Sequence, residues 1–389
     1  MRTIPILGAS SLLAALALAC SEGGSTSETT DERQVVEAGV DADGIADGGT
    51  AEDADACASC EWFPPACSRG ALCTVNVDAL DPRTVLFALG VHDGNLTAVG
   101  TYGSIIDNIS GSWRRSGVGE VDALRGIATV GGDLWVAGSV EAMFIRETSA
   151  GKTAWTEHRP GGPDYYSTWN WAVNGLFSEP AGTWVWAATA TTCSPSTASD
   201  GVGLVRLRRQ PEWLELEKII QQGGLMSPCI TMNALDGAGG TLWVAGDRGV
   251  VHKVTDLEAT SPVVTPENSG TMRTLLGVWA EATGHVFAVG KEGTVLHRAP
   301  GGSFVSIGEG VPPVAYHAVR GTSPSDVWIA GDEGTVMHFD GQHWSRVPIA
   351  GVGNSRPTLR AIAAIAPDRV WVAGDNVLLG LAREDGRAP

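Results

Sequence analysis

Basic residues are scarce in this chain: 26 Lys and Arg stand against 44 Asp and Glu, for a formal net charge of −18 at pH 7. Nucleic-acid binders neutralise phosphates with a basic surface, so nucleic acid is not an expected partner. The acidic balance favours solubility and disfavours adhesion to anionic membranes. Recognisable catalytic motifs are also missing. There is no His-Glu-x-x-His, no Walker loop, no Gly-x-Ser-x-Gly and no Ser-x-Asp-x-Gly-x-x-Trp box. Each of those spacings puts a metal, phosphate or nucleophile site on a defined turn or helix face. An enzyme therefore has no support in the sequence, and no cofactor is expected. Aromatic residues make up only 6%, although 14 of them are Trp.

What is present points to an all-β chain. Hydrophobic residues reach 43%, enough for a substantial core, and 51 glycines separate short apolar runs. That combination suits many short strands joined by tight turns. The first residues read as an address. Met1-Arg2 is a short positive start, and Ile4 to Ala19 is apolar but shorter than the roughly 20 residues that span a bilayer. The run ends Leu16-Ala17-Leu18-Ala19-Cys20, which resembles a bacterial lipobox, and the resemblance implies a lipid on Cys20. Ala17-Leu18-Ala19 also fits an ordinary A-x-A cleavage site, so plain secretion stays open. Parity favours lipidation, because removing Cys20 from seven cysteines leaves an even number. Ser21 is compatible with the outer membrane. Ser21 to Ala56 then holds eleven acids against Arg33 alone and has no aromatic residue. Such a segment buries too little to fold and repels itself, so a disordered acidic tether is expected over 20–56, after a signal peptide at 1–19. Asp41-Ala-Asp43-Gly44 starts like a calcium loop but lacks the closing Glu.

The strongest signal is a repeat. One motif recurs seven times: Leu96-Thr-Ala-Val-Gly100, Leu134-Trp-Val-Ala-Gly138, Val185-Trp-Ala-Ala-Thr189, Leu242-Trp-Val-Ala-Gly246, Val286-Phe-Ala-Val-Gly290, Val327-Trp-Ile-Ala-Gly331 and Val370-Trp-Val-Ala-Gly374. The steps of 38, 51, 57, 44, 41 and 43 residues sit near the period of a four-stranded propeller blade. Upstream of each lies a small residue followed by a branched apolar one: Ala88-Leu89, Gly126-Ile127, Ala172-Val173, Ala234-Leu235, Gly277-Val278, Ala318-Val319 and Ala361-Ile362. Inner strands crowd near a propeller axis, which explains the small member. The clearest copy predicts strand A over 316–320, strand B over 327–330, a tight turn at Gly331–Gly334 with glycines at positive φ, strand C over 335–339 and strand D from Trp344. The fold expected is a seven-bladed β-propeller of four-stranded antiparallel blades over 74–389. The seventh copy ends without a fourth strand, and the alternation in Leu72–Val77 predicts that this stretch supplies it and closes the ring.

Residues 318 to 344 carry Ala-Val-x-Gly, Pro-x-Asp-Val-Trp-x-x-Gly-x-x-Gly, His-x-Asp-Gly and Trp in register. They resemble the repeat of bacterial propellers akin to the BNR and photosystem-assembly-factor families. The resemblance covers about 74 to 389 and implies the fold. Function does not follow, because propellers host many unrelated activities.

Several residues stand out as candidates. Cys57, Cys60, Cys67 and Cys73 cluster ahead of the propeller. In an exported protein they read as two disulfides of undetermined connectivity rather than as zinc ligands. Cys193 and Cys229 fall on connections that emerge on one face, so a Cys193–Cys229 disulfide is expected to pin the long blade-three loop there. The residue before each small one varies from blade to blade, and Arg125, His317 and Arg360 among them are candidates to hold an anion if that position lines the channel mouth. Tyr165, Tyr166, Trp169 and Trp184 concentrate on the irregular third blade; they are either contacts for a protein or glycan or packing beneath the insertion. His252, His297 and His338 are taken as one structural column on strand C rather than a metal site. The expected function is a non-catalytic binding or scaffold lipoprotein of the bacterial envelope, periplasmic or surface-exposed. It contacts a protein or glycan through the face of the B–C and D–A connections, touches membrane only through its lipid, and is a monomer. The alternatives are an extracellular polysaccharide lyase or hydrolase and an envelope-complex assembly factor.

Overall fold

The computed structural model describes residues 61–383, apart from 78–79, 93, 110, 120–121, 139–141, 150–151, 162–171, 191–200 and 223–229. Seven antiparallel sheets succeed one another in chain order, which makes the molecule a seven-bladed β-propeller. Lettering strands A to D outwards, blade one is Leu86–His92, Asn95–Gly100, Ser104–Ile109 and Ser112–Gly117. Blade two is Leu124–Val130, Asp133–Gly138, Met143–Ser149 and Lys152–His158, and blade three is Ala172–Phe177, Val185–Ala190, Gly201–Arg209 and Leu214–Gln222. Blade four is Met232–Ala238, Thr241–Gly246, Val251–Thr255 and Val263–Glu267, and blade five is Leu275–Ala280, Val286–Gly290, Val295–Arg298 and Phe304–Ser306. Blade six is Tyr316–Ser323, Asp326–Gly331, Val336–Phe339 and Trp344–Arg346. Blade seven takes Leu359–Ala366, Arg369–Gly374 and Val377–Leu381 from the end of the chain and Leu72–Thr74 from its beginning. Helix among the described residues is limited to the 3₁₀ turns Asp247–Gly249 and Asp332–Gly334.

The recurring apolar motif is strand B. It is apolar throughout because a strand sandwiched between neighbouring blades is buried on both faces. Trp243, Ala245, Val278, Val286 and Ala288 share one cluster between blades four and five. Trp135, Val173, Val185 and Val205 do the same between blades two and three. The core is thus a ring of interblade layers, and each large side chain fully buried there contributes about 2–3 kcal/mol.

The motif glycine has a specific cause. A Cβ on Gly331 would lie 2.0 Å from the Ala315 carbonyl oxygen; at Gly100, Gly290 and Gly374 the corresponding approach is 2.1 Å. The same carbonyl accepts the next N–H along, Asp332 N to Ala315 O at 2.9 Å. Gly331 itself is extended, with φ −161°, so the expectation of positive φ there is corrected: contact, not torsion, excludes a side chain. Gly334 has the expected positive φ (59°), and Glu333 shares it (58°). Blade three replaces the glycine by Thr189, whose Oγ1 donates to the Val202 carbonyl.

Leu72–Thr74 closes the ring. It pairs antiparallel with strand C of blade seven, Leu72 opposite Leu381 and Thr74 opposite Leu379. A fifth short strand, Ile349–Ala350, adds to its other side in parallel, which the four-stranded expectation did not include. Ile349 N in turn donates to the Trp62 carbonyl at 2.8 Å, so the outer edge of this blade is covered rather than open. Cys73 lies on the closing strand, 3% exposed. It is disulfide-bonded to Cys67, with Cα atoms 5.6 Å apart. Cys20, Cys57, Cys60, Cys193 and Cys229 lie outside the described residues.

Candidate functional site

Strand A begins at the face where the D–A and B–C connections emerge, and its second residue, or its third in blade three, lines the axis there. These residues form a ring, one per blade: Phe87, Arg125, Asn174, Asn233, Leu276, His317 and Arg360. The structure therefore brings Arg125, His317 and Arg360 together in one mouth, as their repeat position predicts. With the small residues beneath them, they bound a cavity of about 140 Å³.

The blade-three member is Asn174, not Trp171, which precedes the Ala172-Val173 pair and is the member expected from the sequence. Gly175 pairs with Ala188 and Leu176 with Ala187, across a register shift after Val173. The equivalent pairs in blade six are Ala318 with Ala330 and Val319 with Ile329. The repeat triplet is therefore Asn174-Gly175-Leu176, and Ala172-Val173 is a displaced look-alike. Spacing carried the signal: Gly175 lies ten residues before Val185, close to the interval in the other copies, whereas Ala172 lies thirteen before it.

The polar ring members are held by a second repeat column, the residue after the motif glycine. Arg360 Nε lies 2.8 Å from Asp375 Oδ1. His317 Nε2 lies 2.8 Å from Asp332 Oδ1. Asn233 Nδ2 donates to Asp247 Oδ1 at 3.1 Å and to the Leu275 carbonyl of the next blade at 2.9 Å. Asn174 Nδ2 reaches the Met232 carbonyl of its own neighbouring blade at 2.9 Å. The two amides thus staple adjacent blades, a role the sequence reading missed although Asn at two ring positions hinted at it.

Arg125 differs. Its guanidinium carbon lies 4.5 Å above the Phe87 ring, and that of Arg360 lies 5.7 Å from the same ring. Arg125 Nε is buried without a hydrogen-bond partner. Burial first, and the neighbouring charge of Arg360 second, push Arg125 down from the usual arginine range, with Asp122 opposing them.

The opposite mouth of the channel has another character. Arg320 bridges to Asp236 at 3.3 Å, and Asp236 also accepts the Ala280 N–H at 2.9 Å. Burial raises the Asp236 carboxyl, against the pull of Arg320. A cavity of about 400 Å³ lies beside this pair, lined by Gly90, Val91, Ile127, Phe177 and Pro180.

Other candidates fall elsewhere. Trp184 is 3% exposed. The guanidinium groups of Arg206 and Arg208 lie 4.1 and 4.3 Å from its ring, and it packs in the layer between blades three and four, so it offers no surface to a ligand. Tyr165, Tyr166 and Trp169 lie outside the described residues. The strand-C histidines are not one column. His297 pairs with Phe287 and His338 with Trp328, but His252 pairs with Val244 and Lys253 takes the equivalent place opposite Trp243. The B–C turns of the three blades are equally long, with Ala245 opposite Val251, Val289 opposite Val295 and Ala330 opposite Val336; His252 lies six residues after its motif glycine, whereas His297 and His338 lie seven after theirs. Among the described residues no group of three or more His, Cys, Asp or Glu converges to hold a metal ion.

No family model and no curated protein sequence matches the chain. Solved structures do. The structure of YCF48 bound to a D1 peptide superposes with a TM-score of 0.58 at 15% identity, over 81% of this chain and 97% of that one. YCF48 from Cyanidioschyzon merolae gives 0.60 at 16% identity, over 79% and 97%. Virginiamycin B lyase from Staphylococcus aureus gives 0.60 at 12% identity, again over 79% and 97%. At these identities the likeness concerns the fold alone.

Proposed function

We propose that this chain is a non-catalytic binding or scaffold module of the bacterial envelope, working through the face of the D–A and B–C connections on a protein or glycan. The observation that carries the reading is the ring at the axial mouth. Columns set by packing tend to keep one residue type, as the motif glycine does in six of the seven blades. The ring position takes five residue types in seven blades and offers an aromatic face, two guanidinium groups, an imidazole, two amides and the apolar Leu276 around one opening. Such a mixture serves directional recognition rather than packing. YCF48 in complex with a D1 peptide is a precedent for a propeller of this shape holding a polypeptide. Attachment through a lipid on Cys20, with 20–56 as tether, is part of the proposal, and the two local disulfides and the Cys193–Cys229 link belong to the same exported setting.

A second reading, a lyase or hydrolase of an extracellular polymer, has one observation in its favour. His317 and Asp332 form an imidazole–carboxylate pair at 2.8 Å in the mouth, the arrangement of an oriented general base. An envelope-complex assembly factor would use the same mouth as a binding module.

The test is retention of envelope components by the mature chain from Cys20, compared with a Phe87→Ala, Leu276→Ala variant that folds normally by thermal melting. Loss of a retained partner in the variant supports the mouth as the binding site. Equal retention by both overturns it. Polymer cleavage that disappears in His317→Ala would establish the enzymatic reading instead.

A further inference from the structure

We propose that the axial mouth is a carboxylate-binding site anchored by Arg125; this deepens the binding reading above and rests on it. The repeat leaves one basic ring residue without the partner that its counterparts have. Two of the ring's basic residues have a carboxylate supplied by the residue after the motif glycine: Arg360 has Asp375 and His317 has Asp332. Blade two also places an arginine on the ring, but the residue after its motif glycine is Ser139. Arg125 makes no ion pair among the described residues, and its Nε is buried without an acceptor.

A buried guanidinium donor without an acceptor costs free energy unless an outside group completes it. Phe87 lies 4.5 Å from the Arg125 guanidinium carbon, and the nearby Asp122 carboxylate attracts Arg125 without an ion pair to it among the described residues, so the Nε–H stays open to an outside acceptor. A planar fork matches a planar carboxylate through two parallel N–H···O bonds. Arg360 lies against the same phenyl ring, so a negative group beside Arg125 also relieves the repulsion between two like charges. The cavity of about 140 Å³ admits a carboxylate with a few carbon atoms and excludes a folded domain. The ligand is therefore the end of a chain or a small acid. The carboxyl terminus of a partner polypeptide and a free dicarboxylate share this chemistry.

The experiment follows the arginine Nε–H signals of the full mature chain by NMR, with Arg125 assigned through its loss in Arg125→Gln. The probes are Gly-Ala-Ala with a free carboxyl end, the same tripeptide amidated, succinate and inorganic phosphate. A saturable shift of the Arg125 signal with the free acid and none with the amide is the expected result. Affinity falls at least about tenfold in Arg125→Gln. It falls similarly in Ser139→Asp, which gives blade two the aspartate that blades six and seven carry at this repeat position. A tripeptide stronger than succinate assigns the site to a chain end, and the reverse assigns it to a small acid; both support the proposal. No saturable shift, an equal response to the amide, stronger binding of phosphate, or undiminished affinity in a folded Arg125→Gln overturns it. If Phe87→Ala, Leu276→Ala loses a retained partner but no carboxylate response exists, the binding reading survives and this inference fails.

Discussion

At Gly290 one methyl group meets a backbone oxygen. Its Cβ would sit 2.1 Å from the Thr274 carbonyl, which is fixed by the Lys291 N–H at 3.0 Å, so the strand must move to admit it. Gly290→Ala is expected to cost about 2 kcal/mol or more, read as a lower urea midpoint with unchanged slope. An alanine in place of exposed Gly301, where nothing lies within 4 Å but φ is 71°, tests torsion without contact and should cost about 1 kcal/mol. His252 carries a pH prediction. Burial lowers its imidazole below the ordinary value of 6.5, and its Nδ1 is buried without a partner. A histidine lowered in the folded state binds protons more readily when unfolded, so its contribution is present above pH 6.5 and is lost as pH falls through the lowered value. Stability should therefore decline on acidification from pH 7 to 5, and less steeply in His252→Leu. Equal slopes for the two proteins would remove His252 as a cause.

The closing strand is where an element's sequence and its fate are furthest apart. Leu72–Thr74 is only three residues long, yet it joins the two ends of the chain into one ring. The Cys67–Cys73 disulfide bridges a separation of six residues and holds that strand's entry. By loop-closure entropy such a link is worth about 2 kcal/mol. Cys67→Ser should lower the thermal midpoint, and thiol counting on the unreduced chain should find neither Cys67 nor Cys73 free. Much of this level was readable in advance. Strand B announced itself in every blade because burial on both faces demands an unbroken apolar run, and the alternation of Leu72–Val77 was enough to place the closing strand. Blade three and the strand-C histidines were misassigned for different reasons. A bulge beside Val173 shifts register by local backbone geometry, which residue types alone do not encode, whereas His252 stands six residues after its motif glycine and His297 and His338 seven after theirs, a difference the spacing already carried.

At the scale of the molecule, sevenfold repetition separates what the fold needs from what it leaves free. Trp243, Trp328 and Trp371 recur because neighbouring blades must pack, and each is buried. Asp247, Asp332 and Asp375 recur at the axial mouth because ring side chains there need partners. That second column was invisible in the sequence, since an aspartate after a glycine reads as a turn residue. Only the geometry joins it to the ring. The two channel mouths are consequently unlike, one lined by Arg125, His317 and Arg360, the other by a neutralised Arg320–Asp236 pair beside an apolar hollow. The account places recognition at the first. A photo-crosslinking residue installed at Phe87, and separately at Val91 by the opposite mouth, tests this directly in envelope preparations. The account predicts a discrete crosslinked partner from position 87 and none from position 91. A partner captured only from position 91 would contradict it.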